Sequence, residues 1–253
     1  MAGRLLTIPK RPPVTVHAVG LMVLLLVACA DGFAGETSNF NLGVRLQGMN
    51  WAVTDKDSQT DNSKKINAKA GAAGVTWQWR RKAFYLGGGL AGGTFTFDEG
   101  FKRYDGLQAV NSDGKTVIDR TEFELVSGYQ LWRPISVFVN LKAISNKWED
   151  DYTTTYTGLG IGVNYHINFN DRFSLFGSAG LLPMAIGDSQ DDEKNHIGNA
   201  KGGAAEVGGL LAVKGGNTFT IGVKSQYQKN SFDNDAEQVH ATNAVQFRYY
   251  HTF

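Results

Sequence analysis

Apolar residues fall on every second position through one segment after another of this chain. In VIDRTEFELVSGYQL (Val117 to Leu131), one parity carries Val117, Thr121, Phe123, Leu125, Tyr129 and Leu131, with Asp119 and Ser127 interrupting. The other parity includes Arg120, Glu122, Glu124 and Gln130. Period two puts successive side chains on opposite faces of a strand. The same alternation runs through ISVFVNLKA (Ile135 to Ala143), TGLGIGVNYHI (Thr157 to Ile167) and FTIGVKSQYQ (Phe219 to Gln228). Beyond residue 30 no segment has the 3.6-residue period of a helix and no linker divides the chain. The class is all-β.

Ten strands are predicted, near 40–53, 65–80, 83–97, 116–131, 135–147, 154–168, 172–186, 200–214, 218–229 and 240–253. Eight is the alternative count, if the Gly-rich segment 83–97 or the terminal strands do not form. In the first two strands the apolar phase changes parity near Gly48 and Ala72-Ala73, which predicts bulges there. Connections alternate in length. Tight turns are expected at Arg80 to Lys82, Trp132 to Pro134, Asn170 to Arg172 and Lys214 to Asn217. Longer polar loops are expected at 54–64, 98–115, 148–153, 187–199 and 230–239. This is an up-and-down meander of even strand number, able to close into a barrel with no free edge.

The chain has 253 residues and a formal net charge of +1, which gives no electrostatic case for nucleic acid. Arg4, Lys10 and Arg11 precede the apolar run Ala18 to Ala30, which is too short to span a bilayer as a helix. It reads as a signal peptide, residues 1–30, with a small-x-small site at Ala28-Cys29-Ala30. Cleavage after Ala34 is an alternative, as is a lipobox placing a lipid on Cys29. A short lead, 31–39, then precedes the barrel, 40–253. Cys29 is the only cysteine, so the remaining chain has no disulfide framework.

Alternation alone does not say which face is wet. A barrel of about ten strands has little room for large apolar side chains from every strand, whereas lipid has no such limit. Long loops at one end, tight turns at the other and Gly-rich runs on the non-apolar face point the same way. Trp77, Trp79 and Trp132 fall toward the turns, and Trp51 and Trp148 toward the loops, as two interfacial aromatic girdles require. The closing segment AVQFRYYHTF carries Val245, Phe247, Tyr249 and Phe253 on one parity, with His251 out of pattern. It resembles the C-terminal strand of bacterial outer-membrane β-barrel proteins, small porin-like or opacity-type barrels among them. The resemblance implies a multi-pass outer-membrane barrel with short periplasmic turns and longer extracellular loops. It also implies that Val245, Phe247, Tyr249 and Phe253 are read by the barrel assembly machinery, and that membrane lipid and lipopolysaccharide are partners.

The non-apolar face carries Arg45, Arg120, Glu122, Glu124, Lys142, Glu206, Lys224 and Arg248. Pairing across the Trp-Arg-Pro turn sets Glu124 opposite Lys142, an inward pair serving as a gate or as a plug. Ten strands lie near the filled end of barrel sizes, which favours the plug. No phosphate loop, zinc-ligand spacing or nucleophile elbow is present, and no cofactor or metal is expected. GGGLAGG (Gly87 to Gly93) sits in a strand-period segment with no following helix, which excludes a dinucleotide site. The acidic stretches Asp188 to His196 and Asp233 to His240 raise an omptin-like protease, a ten-stranded family with an Asp–His dyad at the barrel mouth. No Asp-x-His motif occurs, and the inward strand histidine, His166, is at the turn end. The expectation is a non-enzymatic barrel, structural or narrow-pored, whose loops contact the surface or lipopolysaccharide. The rival is an outer-membrane hydrolase, omptin-like or lipid-A-modifying, dependent on a loop acid such as Asp191 or Asp235.

Overall fold

All ten alternating segments are strands, and each pairs antiparallel with the next. The computed structural model describes residues 38–56, 63–102, 108–109, 114–148, 152–190, 194–233 and 236–253. The expected signal peptide, its alternative cleavage site, Cys29 and most of the lead lie outside the described residues, as do Asp191 and Asp235. In chain order the strands are β1 (Ser38–Lys56), β2 (Ser63–Arg81), β3 (Phe84–Phe97), β4 (Phe101–Lys102), β5 (Gln108–Ala109) and β6 (Thr116–Trp132). They continue as β7 (Ile135–Trp148), β8 (Thr153–Asn168), β9 (Phe173–Gln190), β10 (Lys194–Val213), β11 (Asn217–Phe232) and β12 (Glu237–Thr252). The two-residue strands β4 and β5 form a separate ribbon, and the other ten close into one barrel.

Closure is made by β1, which pairs with β2 on one side and β12 on the other. The last backbone N–H, of Phe253, donates to the Phe40 carbonyl at 2.9 Å. Tight turns occupy one end. Gly215 and Gly216 have φ of 81° and 74°, values that side chains with a Cβ rarely adopt, which is why the β10–β11 turn uses glycine.

Large apolar side chains coat the outside. Val139, Leu159, Ile161, Leu181, Val207 and Phe247 are each more than half exposed, an arrangement stable only against lipid. The belt has an upper boundary where outward positions turn polar: Lys69 on β2, Asp119 on β6, Lys147 on β7, Lys201 on β10, Lys229 on β11 and Asn243 on β12. Strands such as β1 and β2 have 19 residues. A spanning strand needs only about 9–11. The surplus stands beyond the belt on the loop side.

Above the belt the barrel is inside out. The apolar residues change to the inward parity, and Met49, Trp51, Val53, Ile66, Ala68, Phe95, Phe97, Ile118 and Trp148 form a buried core. A second cluster holds Tyr156, Ala185, Ile197, Ala200 and Phe232. Two sequence expectations are corrected here. No bulge occurs at Gly48 or at Ala72-Ala73, because β1 runs in unbroken register with both neighbours. The parity change there marks a change of surroundings, from lipid outside to water outside. The polar stretch 187–199 is also largely strand, β9 reaching Gln190 and β10 starting at Lys194. Its Asp, Asn and Lys residues read as loop because the outward face is solvated beyond the belt. Register shifts occur instead at Gln130/Trp132, at Leu159/Ile161 and at two places between β9 and β10. Pro183, which has no N–H to give to the ladder, lies in this irregular part of β9.

Candidate functional site: a charged lumen sealed at one end

The inward parity of the strands puts all eight charged residues singled out in the sequence, Arg45, Arg120, Glu122, Glu124, Lys142, Glu206, Lys224 and Arg248, on the lumen side. Arg248 Nη2 donates to both oxygens of Glu206, at 2.6 and 2.8 Å, and to Gln246 Oε1 at 2.7 Å. Arg120 Nε donates to Glu122 Oε1 at 2.9 Å, with Nη2 of the same guanidinium 2.8 Å from that oxygen. Glu124 accepts from Asn140 Nδ2 at 2.6 Å.

Glu124 is opposite Lys142 in register, as expected, but the two do not form the ion pair. Lys142 Nζ donates to Gln226 Oε1 at 2.6 Å and lies 3.7 Å from Glu122 Oε2. Its four-carbon stem carries the ammonium past its direct neighbour toward the diagonal carboxylate and the far wall. The contact from β7 to β11 crosses the barrel interior. The lumen at this level is bridged by side chains.

Below that layer, toward the turns, a cavity of about 930 Å³ opens, lined by Arg80, Tyr85, Arg133, Asn164, His166 and Tyr250 among others. Asn164 Nδ2 donates to the Tyr85 hydroxyl at 2.7 Å. Tyr85 lies against Gly128, where a Cβ would come within 2.1 Å of its ring. His166 sits in this vestibule and meets Asn168 Oδ1 at 2.7 Å.

Above the charge layer Trp51 closes the lumen. It is 1% exposed, with its ring edge-on to Phe95 and Phe97 at centroid distances of 5.0 and 5.2 Å. The Arg120 guanidinium lies 4.7 Å from the Trp51 ring centroid, joining seal to charge layer by a cation–π contact. The cavity among Trp51, Trp148, Tyr156 and His240 is about 10 Å³, room for at most one water molecule.

Trp51 and Trp148 therefore do not form an outer girdle. Both are at strand ends because the strands continue past the lipid, and both point inward into a dry core. Trp77 and Trp79 are on the outward parity of β2, and Trp132 is 59% exposed at the turn end. Val245, Phe247, Tyr249 and Phe253 are all outward and 36–54% exposed. His251, out of pattern in the sequence, has its Nδ1 2.9 Å from Asn217 Oδ1 and packs edge-on to Phe253 at 4.7 Å.

Among the described residues, His240 is buried in the seal with no carboxylate beside it. Trp51 Nε1 lies 3.2 Å from His240 Nδ1 and Asn230 Nδ2 lies 3.0 Å from His240 Nε2, so two donors converge on the ring. Burial first, and the Arg120 charge second, push the His240 pKa from 6.5 down to about 3. His240 lies beyond the belt, which on β12 begins at Val245. Above pH 6.5 the ring is neutral in both folded and unfolded chains and stability is unaffected. Below it the unfolded chain takes up a proton that the folded core refuses, so stability falls as pH drops from about 6.5 toward 3. The expected slope is at most about 1.4 kcal/mol per pH unit from this group. A His240→Gln variant should show a shallower loss than the wild type when the heat-modifiable band is followed from pH 7 to pH 4.

The feature missed in the sequence is the apolar seal. Its signal was the parity change in β1 and β2, together with Phe95 and Phe97 on the inward parity of β3.

No family model and no curated protein matches the sequence. Among solved structures, the outer membrane protease OmpT from Escherichia coli aligns with a TM-score of 0.51 and 10% identity, over 88% of this chain and 100% of that one. An outer membrane channel from Pseudomonas putida F1 aligns with a TM-score of 0.45 and 11% identity, over 88% and 98%. The β domain of the Bordetella autotransporter BrkA gives 0.44 and 10%, over 85% and 100%. Ten antiparallel strands closed into one barrel, with lipid-facing residues outside and charges within, give this chain the fold of the bacterial outer-membrane β-barrels.

Proposed function

We propose that this chain is a non-enzymatic outer-membrane barrel, closed to through-flow, whose rim beyond the lipid belt is its contact surface. The observation that carries this reading is the dry core around Trp51, set directly above a layer of bridged charges. A closely packed plug has a higher barrier to ions than an open polar constriction, because its few buried amide and imidazole groups cannot replace a full hydration shell. The rim supplies a surface suited to lipopolysaccharide. Lys201 and Lys229 are directly opposite on β10 and β11, both outward just above the belt where anionic headgroups lie, with the Lys229 ammonium 2.6 Å from Glu237 Oε1. In planar bilayers the purified barrel should give a current near zero. Steady, voltage-independent steps in the wild type would refute a sealed barrel.

A second reading, a hydrolase at the loop end, has one observation in its favour. His196 Nδ1 lies 3.9 Å from Asp188 Oδ1, and its Nε2 lies 3.9 Å from Asp233 Oδ1. Both separations exceed hydrogen-bond reach, and all three side chains are solvated. Turnover of fluorogenic peptides or lipid A that disappears in His196→Ala would establish this reading over the first.

A further inference from the structure

The charges within the lipid belt do not balance. Arg45, Arg120, Lys142, Lys224 and Arg248 face the lumen against Glu122, Glu124 and Glu206, so five cations meet three carboxylates among the described residues. Glu206 is held by Arg248, and Glu122 by Arg120 and Lys142. Arg45 has no ion-pair partner among the described residues, and its Nε is buried without a hydrogen bond. The residue directly opposite it on β12 is Arg248, a like charge. Like charges opposed across a ladder repel, and a low-dielectric wall strengthens the repulsion.

Space and access are present beside this group. Arg45 lines a cavity of about 250 Å³ that shares Gln78, Tyr85, Asn164, Ser178 and Arg248 with the vestibule. Glu122 and Glu124 lie on its β6 wall, and each is already engaged, by Arg120 and Asn140 respectively. The vestibule opens at the turn end, where Arg80 and Arg133 are among its lining residues. Guanidinium groups thus mark the way from the mouth to Arg45. The planar fork of a guanidinium matches the oxygens of phosphate and carboxylate groups.

We propose that the lumen binds a phosphate- or carboxylate-bearing anion at Arg45, admitted from the turn end. The anion relieves the Arg45–Arg248 repulsion and supplies the hydrogen bond that Arg45 Nε lacks. Its source is either a soluble anion or the headgroup of a membrane lipid reaching the mouth.

The test is the thermal midpoint of the folded barrel in two arms. One titrates inorganic phosphate against chloride at matched ionic strength in zwitterionic detergent. The other compares nanodiscs of phosphatidylcholine with nanodiscs containing phosphatidylglycerol, in buffer without phosphate. The expected result is a saturable rise in the wild type in at least one arm, and a midpoint weaker by about tenfold or more in Arg45→Gln. A rise confined to phosphate identifies a soluble anion, and one confined to phosphatidylglycerol a headgroup. No rise in either arm, or equal midpoints in the wild type and Arg45→Gln, overturns the proposal. Should Arg45→Gln fail to fold, phenylglyoxal labelling of the wild type decides. The anion must slow modification of Arg45 relative to the exposed Arg81, and equal rates overturn the proposal.

Discussion

Replacing Arg248 with Met is expected to destabilise the folded barrel by about 3–5 kcal/mol, because it leaves a lumen carboxylate without its partner. Arg248 Nη2 holds both oxygens of Glu206, and both side chains are largely buried. The methionine keeps most of the stem packing, so the loss isolates the charge. Adding Glu206→Gln should recover much of it, since the orphaned carboxylate is then gone. Denaturant unfolding in detergent, followed by the heat-modifiable band, measures each variant and the coupling between them. Additive losses would show that the two residues do not act as a pair.

Trp51→Ala should cost a similar amount, about 3–5 kcal/mol, by opening a cavity in the seal. Four contacts are lost together: the edges against Phe95 and Phe97, the face toward Arg120, and the hydrogen bond to His240. Trp132, 59% exposed at the turn end, offers the comparison. If both tryptophans belonged to outer girdles, their alanine variants would lose similar stability. The inward position of Trp51 instead makes its loss several-fold larger, and it should admit bilayer current that Trp132→Ala does not. Equal losses by thermal unfolding would return Trp51 to the girdle.

The ten strands were legible because each crossing strand must separate lipid from lumen with a period of two, and that period survives in a single sequence. The tight Trp-Arg-Pro turn likewise fixed the Glu124–Lys142 register, which the structure retains despite the shift at Gln130/Trp132. What lay beyond the lipid was not legible. Once both surroundings change, an inward Trp51 and an outward Lys69 look like a strand slipping by one residue, and a bulge is the nearest local explanation. Asp188 and His196 looked like loop for a related reason. Polar residues on a solvated strand face have loop composition, and only their pairing across β9 and β10 identifies them as strand. The partner of Lys142 was beyond reach as well. Register places Cα atoms, whereas a long side chain selects among several acceptors, one of them on the far wall.

Sidedness of access to the lumen decides whether the barrel is closed at the loop end. Ser178 lines the vestibule and the cavity of about 250 Å³ beside Arg45. A Ser178→Cys variant in a Cys29→Ser background can be offered a bulky, membrane-impermeant maleimide, first to intact cells and then to opened membranes. The expected result is labelling only after the turn side is exposed. Equal labelling of the sealed barrel in intact cells and opened membranes would contradict a lumen closed at the loop end.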